Sequence, residues 1–327
     1  MWDEIVPQHW YAIEALDCML RDSDKPFGGV MLLMGGDFQQ TLLVIPKGTW
    51  VQVLDATVMW SYLWNNIEVI HLHENMQLQD DPKAEKFREW LLQIRHGKNS
   101  DENSKVEIPQ DIHCSDIESL MTFIYSNLDS ASLPPPKYFL NWMILAPQNS
   151  NVSSINETLL DRMNGDVKTY YSTDQIIWES GANGHSHLLI TPEFLCSVKS
   201  TSLPPRELRI KIGCPLNLIW NLSPLISLCN GSHMIVVRMS EQVLQVRLIR
   251  RDHDGQFTLI PQISLILILT PNYTFKIWWW QFPVQLAFTV TINQSQGQSV
   301  KYVGLESCIL VFAHSQLYIA LSQVTTK

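Results

Sequence analysis

The segment that most constrains this chain is the apolar run Phe282 to Val290 with the nine residues that follow it. The run has few turn residues and reads as a buried strand. It ends in Thr291-Ile292-Asn293-Gln294-Ser295-Gln296-Gly297-Gln298-Ser299, where small hydroxyl and amide side chains surround a glycine and are expected to open a helix. In an α/β protein that is where backbone N–H groups and short polar side chains meet a ligand, at the carboxyl ends of strands. A second segment, Gln316-Leu317-Tyr318-Ile319-Ala320-Leu321-Ser322-Gln323-Val324-Thr325, follows close behind.

With 327 residues and 46% hydrophobic content, the chain is long enough for two packed units with their own cores. The charged fraction, 17%, is low, and 12 tryptophans are many. A net charge of −9 gives no electrostatic case for duplex binding, which a basic face usually serves. The six cysteines contain no C-x-x-C pair, so buried free thiols in a reducing compartment are favoured over disulfides or zinc. His71 and His73 would share a strand face and His113 adjoins Cys114, but neither has a metal partner at diagnostic spacing. No basic-then-apolar leader is present, and the run Ile263 to Leu269 is far shorter than the ~20 residues of a spanning helix. A nuclear, or else cytoplasmic, location without membrane attachment is expected.

Along the chain, Asp3-Glu4 has the look of a strand end. Two such carboxylates hold a magnesium-bound water and orient the attacking one in nucleotide hydrolases, although an isolated acidic pair also suits a helix start. Helical spacing marks Trp10 to Arg21, Ala84 to Ile94 and Asn151 to Met163. Val30 to Met34 reads as a buried strand running into Gly35-Gly36-Asp37-Phe38-Gln39-Gln40, where glycines admit close approach and an amide such as Gln40 can report on a phosphate. Met143 to Pro147 is a further buried strand. From Leu208 the pattern changes to short strands separated by turns at Gly213, Asn230-Gly231 and Asp254-Gly255, which predicts a small β-barrel inserted in an α/β frame.

Asp3-Glu4, Gly35 to Gln40, Asn75-Met76-Gln77-Leu78, Ile144-Leu145-Ala146-Pro147, Leu228-Cys229-Asn230-Gly231, Gln281-Phe282-Pro283-Val284, Thr291 to Ser299 and Leu317 to Val324 stand in the order and approximate spacing of one family. The chain resembles, over nearly its whole length, the later motifs of Pif-one-type DNA helicases, in particular copies carried by Helitron-type transposons. The resemblance implies a P-loop NTPase with tandem RecA-like lobes, ATP and Mg2+ between them, single-stranded DNA across both, and 5′-to-3′ movement. It places the end of the first lobe at 1–73, the second lobe at 74–212 and 276–327, and the barrel at 213–275, in a monomer. By position, Asp3 and Glu4 would bind the metal and activate water, with Gln40 sensing the γ-phosphate. Gly36, Asp37, Gly297 and Gln323 would border the nucleotide, while Thr291, Asn293, Ser295, Gln296 and Tyr318 would couple DNA to the cleft, with Ser322 in support. The family's roles in repair, recombination and telomere maintenance come with the resemblance as expectations.

The sequence departs from that pattern in one direction. It contains no G-x-x-x-x-G-K-[ST] loop to hold the β- and γ-phosphates, and begins just after the place where the family carries it. Gln77 and Gln323 stand where the family has arginines, and an arginine finger is worth roughly 10³ to 10⁵ in rate. Trp10, Cys18, Gln39, Trp220, His233, Gln262, Trp278, Trp279 and Trp280 also occupy arginine positions, and each is one transition away from a CG-type arginine codon. These substitutions predict a degenerate transposon remnant with little ATP turnover. The rival reading is a binding module that holds single-stranded DNA through Arg206, Arg209, Lys211, Arg247, Arg250, Arg251 and exposed aromatics.

Overall fold

Apolar helical spacing near the first residues and near the last produces one packed unit, and the long middle of the chain produces another. The computed structural model describes all residues except 23, 39–44, 46–47, 73–81, 96–97, 99–105, 130–133, 179–202, 250–254, 269–274, 297–299, 308–313 and 325–327. Unit 1 comprises Met1–His113 with Ile309–Lys327, and unit 2 comprises Cys114–Cys308.

Unit 1 holds helices α1 (Trp10–Leu20), α2 (Trp50–Asp55), α3 (Pro82–Arg95) and, last in the chain, α7 (His314–Ser322), which packs on α3. Its central cluster is Ile5, Val6, Ile13, Phe27, Val58 and Leu63. A buried carboxylate sits in the same place. Asp17, on α1, accepts hydrogen bonds from the Phe27 N–H at 2.6 Å and the Tyr62 hydroxyl at 2.6 Å, and pairs with Arg21. The Tyr62 hydroxyl and then the Phe27 N–H hold its pKa below the ordinary carboxylate value. Phe27-Gly28-Gly29 makes a turn with left-handed backbone, φ being 53° at Phe27 and 62° at Gly28. A Cβ on Gly28 would lie 2.2 Å from the Leu20 carbonyl oxygen, so only glycine fits. Thr49 and Gln52 cap α2 reciprocally, side chain to backbone in both directions.

Unit 2 is built on strands β1 (Trp142–Ala146), β12 (Thr289–Thr291) and β13 (Tyr302–Leu305), all parallel, in the order β12-β1-β13. Helices α4 (Ile117–Ile124) and α6 (Asn149–Arg162) pack on this sheet, and the short α5 (Tyr138–Asn141) leads into β1. Gly304 on β13 admits α4: a Cβ there would come within 2.9 Å of both Leu120 and Ile124. Asn156, buried in the middle of α6, ties the helix to the sheet with three hydrogen bonds. Its amide donates to the Leu286 and Thr289 carbonyls at 3.2 and 3.1 Å and accepts from the Thr289 N–H at 2.9 Å.

The β-rich part is antiparallel. Strands β5 (Pro215–Leu218), β6 (His233–Met239), β7 (Val243–Leu248), β8 (Phe257–Pro261) and β11 (Val284–Leu286) form a sheet in the order β11-β5-β6-β7-β8. β3 (Thr173–Trp178), β9 (Ile263–Ile268) and β10 (Phe275–Gln281) form another in the order β3-β10-β9, and β2 (Lys168–Tyr171) pairs with β4 (Glu207–Ile210). The barrel expected over 213–275 thus takes the form of open sheets among the described residues, with β11 joining from beyond that range. Alternation on β10 sets Trp279 inward, 2% exposed, beneath the Arg206 guanidinium at 5.1 Å. Trp278 and Trp280 lie on the other face, half-buried and stacked at 6.5 Å.

Candidate functional site

Asp3 and Glu4 follow a single parallel bridge at Trp2, not the end of a strand. Trp2 pairs in parallel with Met34: its N–H reaches the Leu33 carbonyl and its own carbonyl takes the Gly35 N–H, both at 2.8 Å. Regular parallel pairing would give the Gly35 carbonyl to Glu4. Instead the Ile5 N–H takes it, at 3.0 Å, and the Glu4 N–H turns back to Asp3 Oδ1 at 3.1 Å. Glu4 is the extra residue of a bulge, with a left-handed φ of 55° that a non-glycine residue rarely adopts. Strain held at one such residue points to function.

The two glycines opposite admit this turn. A Cβ on Gly35 would stand 3.1 Å from Asp3 Oδ1, and one on Gly36 would stand 2.8 Å from the Val6 side chain. Asp37 follows directly, and burial, then the charges of Asp3 and Asp37, raise the Glu4 pKa. The structure therefore brings together Asp3, Glu4, Gly36 and Asp37 from the predicted set. Gln40, Gln77 and Gly297 lie outside the described residues. Magnesium takes one or two protein carboxylates and draws its remaining ligands from water and phosphate. Asp3 and Glu4 fit that share of a shell. The triphosphate's own cradle has no counterpart in this sequence.

The second cluster lies in unit 2, at the carboxyl edge of the parallel sheet. Thr291 ends β12, and its hydroxyl accepts from the Gln294 N–H while Gln294 Oε1 accepts from the Thr291 N–H, each at 3.3 Å. This reciprocal pair closes one 3₁₀ turn, Asn293–Ser295, where the composition predicts a helix. The correction is physical. Ser295 is buried and gives its hydroxyl to the Ile292 carbonyl at 2.7 Å, so local side-chain bonds compete with helix propagation. Ser295 thereby shapes the turn, while the half-buried Asn293 and Gln296 line it. The Ile292 N–H bonds to the Ala146 carbonyl at the end of β1, fixing the turn beside that strand. Beyond β13, the Glu306 N–H bonds to the Leu145 carbonyl at 2.9 Å, and the buried Glu306 side chain takes the Asn151 amide at 2.8 Å. Neither Asn151 nor Glu306 is flagged by any motif. Asn151 lies in the first turn of α6 and Glu306 just past β13, and the fold alone brings them together.

The last predicted residues group with unit 1. Tyr318 is half-buried on α7, and the Ser322 hydroxyl and Gln323 amide both return to the Ile319 carbonyl, closing the helix end. The basic set is mostly engaged inside the fold. Arg209 bridges Glu157 and Asp161 of α6 at 2.6 Å each, and Lys211, buried, donates to the Met163 carbonyl at 2.6 Å. Arg206 pairs with Asp174, and Arg247 lies 4.8 Å over the Phe257 ring. Arg250 and Arg251 lie outside the described residues. Among the described residues, the four basic side chains of that set each hold a partner within the fold.

The parallel sheet, its helices and the polar turn at its carboxyl edge make an α/β fold, and its likeness to solved structures is to RecA-like lobes. The solved Pif1 helicase of Candida albicans superimposes with a TM-score of 0.64 at 22% identity, over 99% of this chain and 69% of that one. A Bacteroides Pif1 helicase, solved in complex with ADP-AlF3 and single-stranded DNA, gives 0.65 at 20% identity, over 98% and 67%. In sequence, the PIF1-like helicase family model matches residues 1–105, and that of the DNA helicase Pif1 2B domain matches 193–239. The ATP-dependent DNA helicase PIF1 of Rattus norvegicus is 23% identical over 95% of this chain and 42% of its own length. The Pif1 of Bdellovibrio bacteriovorus is 23% identical over 95% and 60%. The chain is similar to the Pif1-type DNA helicases, and it spans about two fifths of the length of the vertebrate proteins it matches.

Proposed function

We propose that this chain is a Pif1-type helicase segment that binds single-stranded DNA at the carboxyl edge of unit 2 and does not hydrolyse ATP by itself. The observation that carries the reading is the turn Thr291–Gln296, set at the end of a parallel strand by its own side-chain bonds and by the Ala146 carbonyl. Crevices at such strand ends are where open α/β sheets take their ligands. The Bacteroides relative, bound to both nucleotide analogue and single-stranded DNA, supports DNA as the ligand class.

On this reading Asp3 and Glu4 supply the magnesium ligands and Asp37 adds to the negative field, but the sequence offers no lysine-bearing loop to balance a triphosphate. Removing one cleft cation of the arginine-finger kind costs roughly 10³ to 10⁵ in rate, and here both positions hold glutamine. The pattern of tryptophan, cysteine and glutamine at arginine positions supports descent from an active, transposon-borne copy. Nuclear work in repair, recombination or telomere maintenance belongs to that ancestry.

Fluorescence anisotropy with a labelled single-stranded oligonucleotide tests the DNA half. Binding should weaken as salt rises, and Gln296→Ala should reduce affinity several-fold. Salt-independent or undetectable binding rejects this half. A DNA-stimulated ATPase assay tests the other half, and steady phosphate release by the purified chain rejects it.

A further inference from the structure

Unit 2 carries a group of aromatic rings at the amino edge of its parallel sheet, the end opposite the turn Thr291–Gln296. Trp142 and Tyr302 are the first residues of β1 and β13 and stand opposite each other in the register. Their rings stack with centroids 3.9 Å apart and planes inclined by 16°. Tyr138, on α5, also stacks on Trp142, at 5.9 Å and 23°, and Phe123, on α4, meets Trp142 edge-on at 6.4 Å. The group is fixed from behind. The Tyr138 hydroxyl donates to the Ile124 carbonyl at 2.5 Å, and the Lys301 N–H donates to the Asn141 carbonyl at 3.1 Å. Its outer members stay open to water, Phe123 being 67% and Tyr302 50% exposed.

Nearly parallel rings with an open end suit a planar aromatic ligand, because offset stacking lets the π-faces continue from ring to ring. The local charge suits the same ligand. Lys301 directly precedes Tyr302, is exposed, and holds no ion pair or side-chain hydrogen bond among the described residues. By contrast, Arg162, Arg206 and Arg209 are taken up by Glu118, Asp174, Glu157 and Asp161. An open cation beside an open ring matches a phosphate beside a base, and an apolar helix would use only the ring. We propose that the amino edge of unit 2 stacks a base of single-stranded DNA, with Tyr302 as the platform and Lys301 meeting the adjoining phosphate. Stacking of this kind tolerates any sequence, since every base has a π-face. The proposal rests on the reading that the chain binds single-stranded DNA. It adds a second contact about 13 Å from the carboxyl edge, the length of β1 at ~3.3 Å per residue.

Anisotropy on the full chain, with a labelled oligothymidylate and with its abasic counterpart, tests the proposal. Tyr302→Phe keeps the ring and should bind as the parent does. Tyr302→Leu keeps only apolar bulk and should weaken binding at least fivefold. Removing the bases should weaken the parent more than it weakens Tyr302→Leu, which has no ring for a base to meet. Lys301→Gln changes a side chain without a partner, so it should leave the melting temperature unchanged and flatten the log–log salt dependence by about 0.7. That variant decides the matter where Tyr302→Leu unfolds. Parent-like affinity of folded Tyr302→Leu, or an unaltered salt slope in Lys301→Gln, would overturn the proposal. So would a decaproline peptide that binds the parent and not Tyr302→Leu while DNA affinity stays fixed, since the rings would then serve a polyproline segment. Gln296→Ala, measured alongside, separates the two edges: loss of DNA affinity there alone rejects this proposal and leaves the carboxyl-edge reading standing, and loss with Tyr302→Leu alone does the reverse.

Discussion

At the scale of single residues, the acidic turn is where sequence and structure inform each other most. Gly35-Gly36 was legible as a place of close approach, because glycine has few other uses there, whereas Asp3-Glu4 read equally as a strand end or a helix start and follows only a single bridge. The bulge was not legible, since a left-handed glutamate leaves no mark in composition. Its dependence on Gly36 gives a direct prediction. Gly36→Ala would press a methyl group against Val6 and Ile5, and overpacking of this kind costs about 1–3 kcal/mol, measured as loss of unit 1 stability in urea. Asp17 gives a second prediction. Its pKa is lowered in the folded state, so its contribution to stability is complete above the ordinary carboxylate value of 3.8 and is lost as pH falls through the lowered value. Asp17→Asn should flatten the acid limb of a stability-against-pH curve below that point. A mid-helix aspartate gave no sign of this role, because its partners Phe27 and Tyr62 lie 10 and 45 positions away.

At the scale of elements, periodicity located α1, α3, α6 and β1 to within a few residues, since each carries its apolar positions at one spacing. The short strands from 207 onward were legible for the same reason, with Gly213 and Gly231 marking turns that the structure places at φ of 86° and 88°. What periodicity could not supply was how elements are fastened together. The helix α6 is joined to the sheet through Asn156, a residue that ordinarily signals exposure. Asn156→Leu would strand the Thr289 N–H and two buried carbonyls, and should cost about 3 kcal/mol, read from chemical denaturation of unit 2. Similarly, Arg209 and Lys211 looked like a basic edge for DNA, and only the coordinates of Glu157, Asp161 and the Met163 carbonyl show them bound to α6. Charge reversal at Arg209 should therefore lower stability and leave single-stranded DNA affinity nearly unchanged, a pair of outcomes that thermal melting and anisotropy separate.

At the scale of the whole molecule, the two units differ in how well their apolar surface is covered. Unit 2 has a continuous buried cluster running from α4 and α6 into the antiparallel sheets, whereas unit 1 leaves Met31, Ile70 and Leu72 open to water. Calorimetry should accordingly resolve two transitions, with unit 1 melting first, and a single cooperative peak would contradict that ordering. The motifs at either extreme of the sequence were readable, but their membership of one packed body was not, because nothing local records that α7 rests on α3. That arrangement also bears on biosynthesis. A ribosome releases α7 only after every residue of unit 2, so unit 2 is free to mature during translation while unit 1 waits for that helix. A nascent chain stalled before residue 309 should already protect unit 2 from protease and leave the opening hundred residues cleavable.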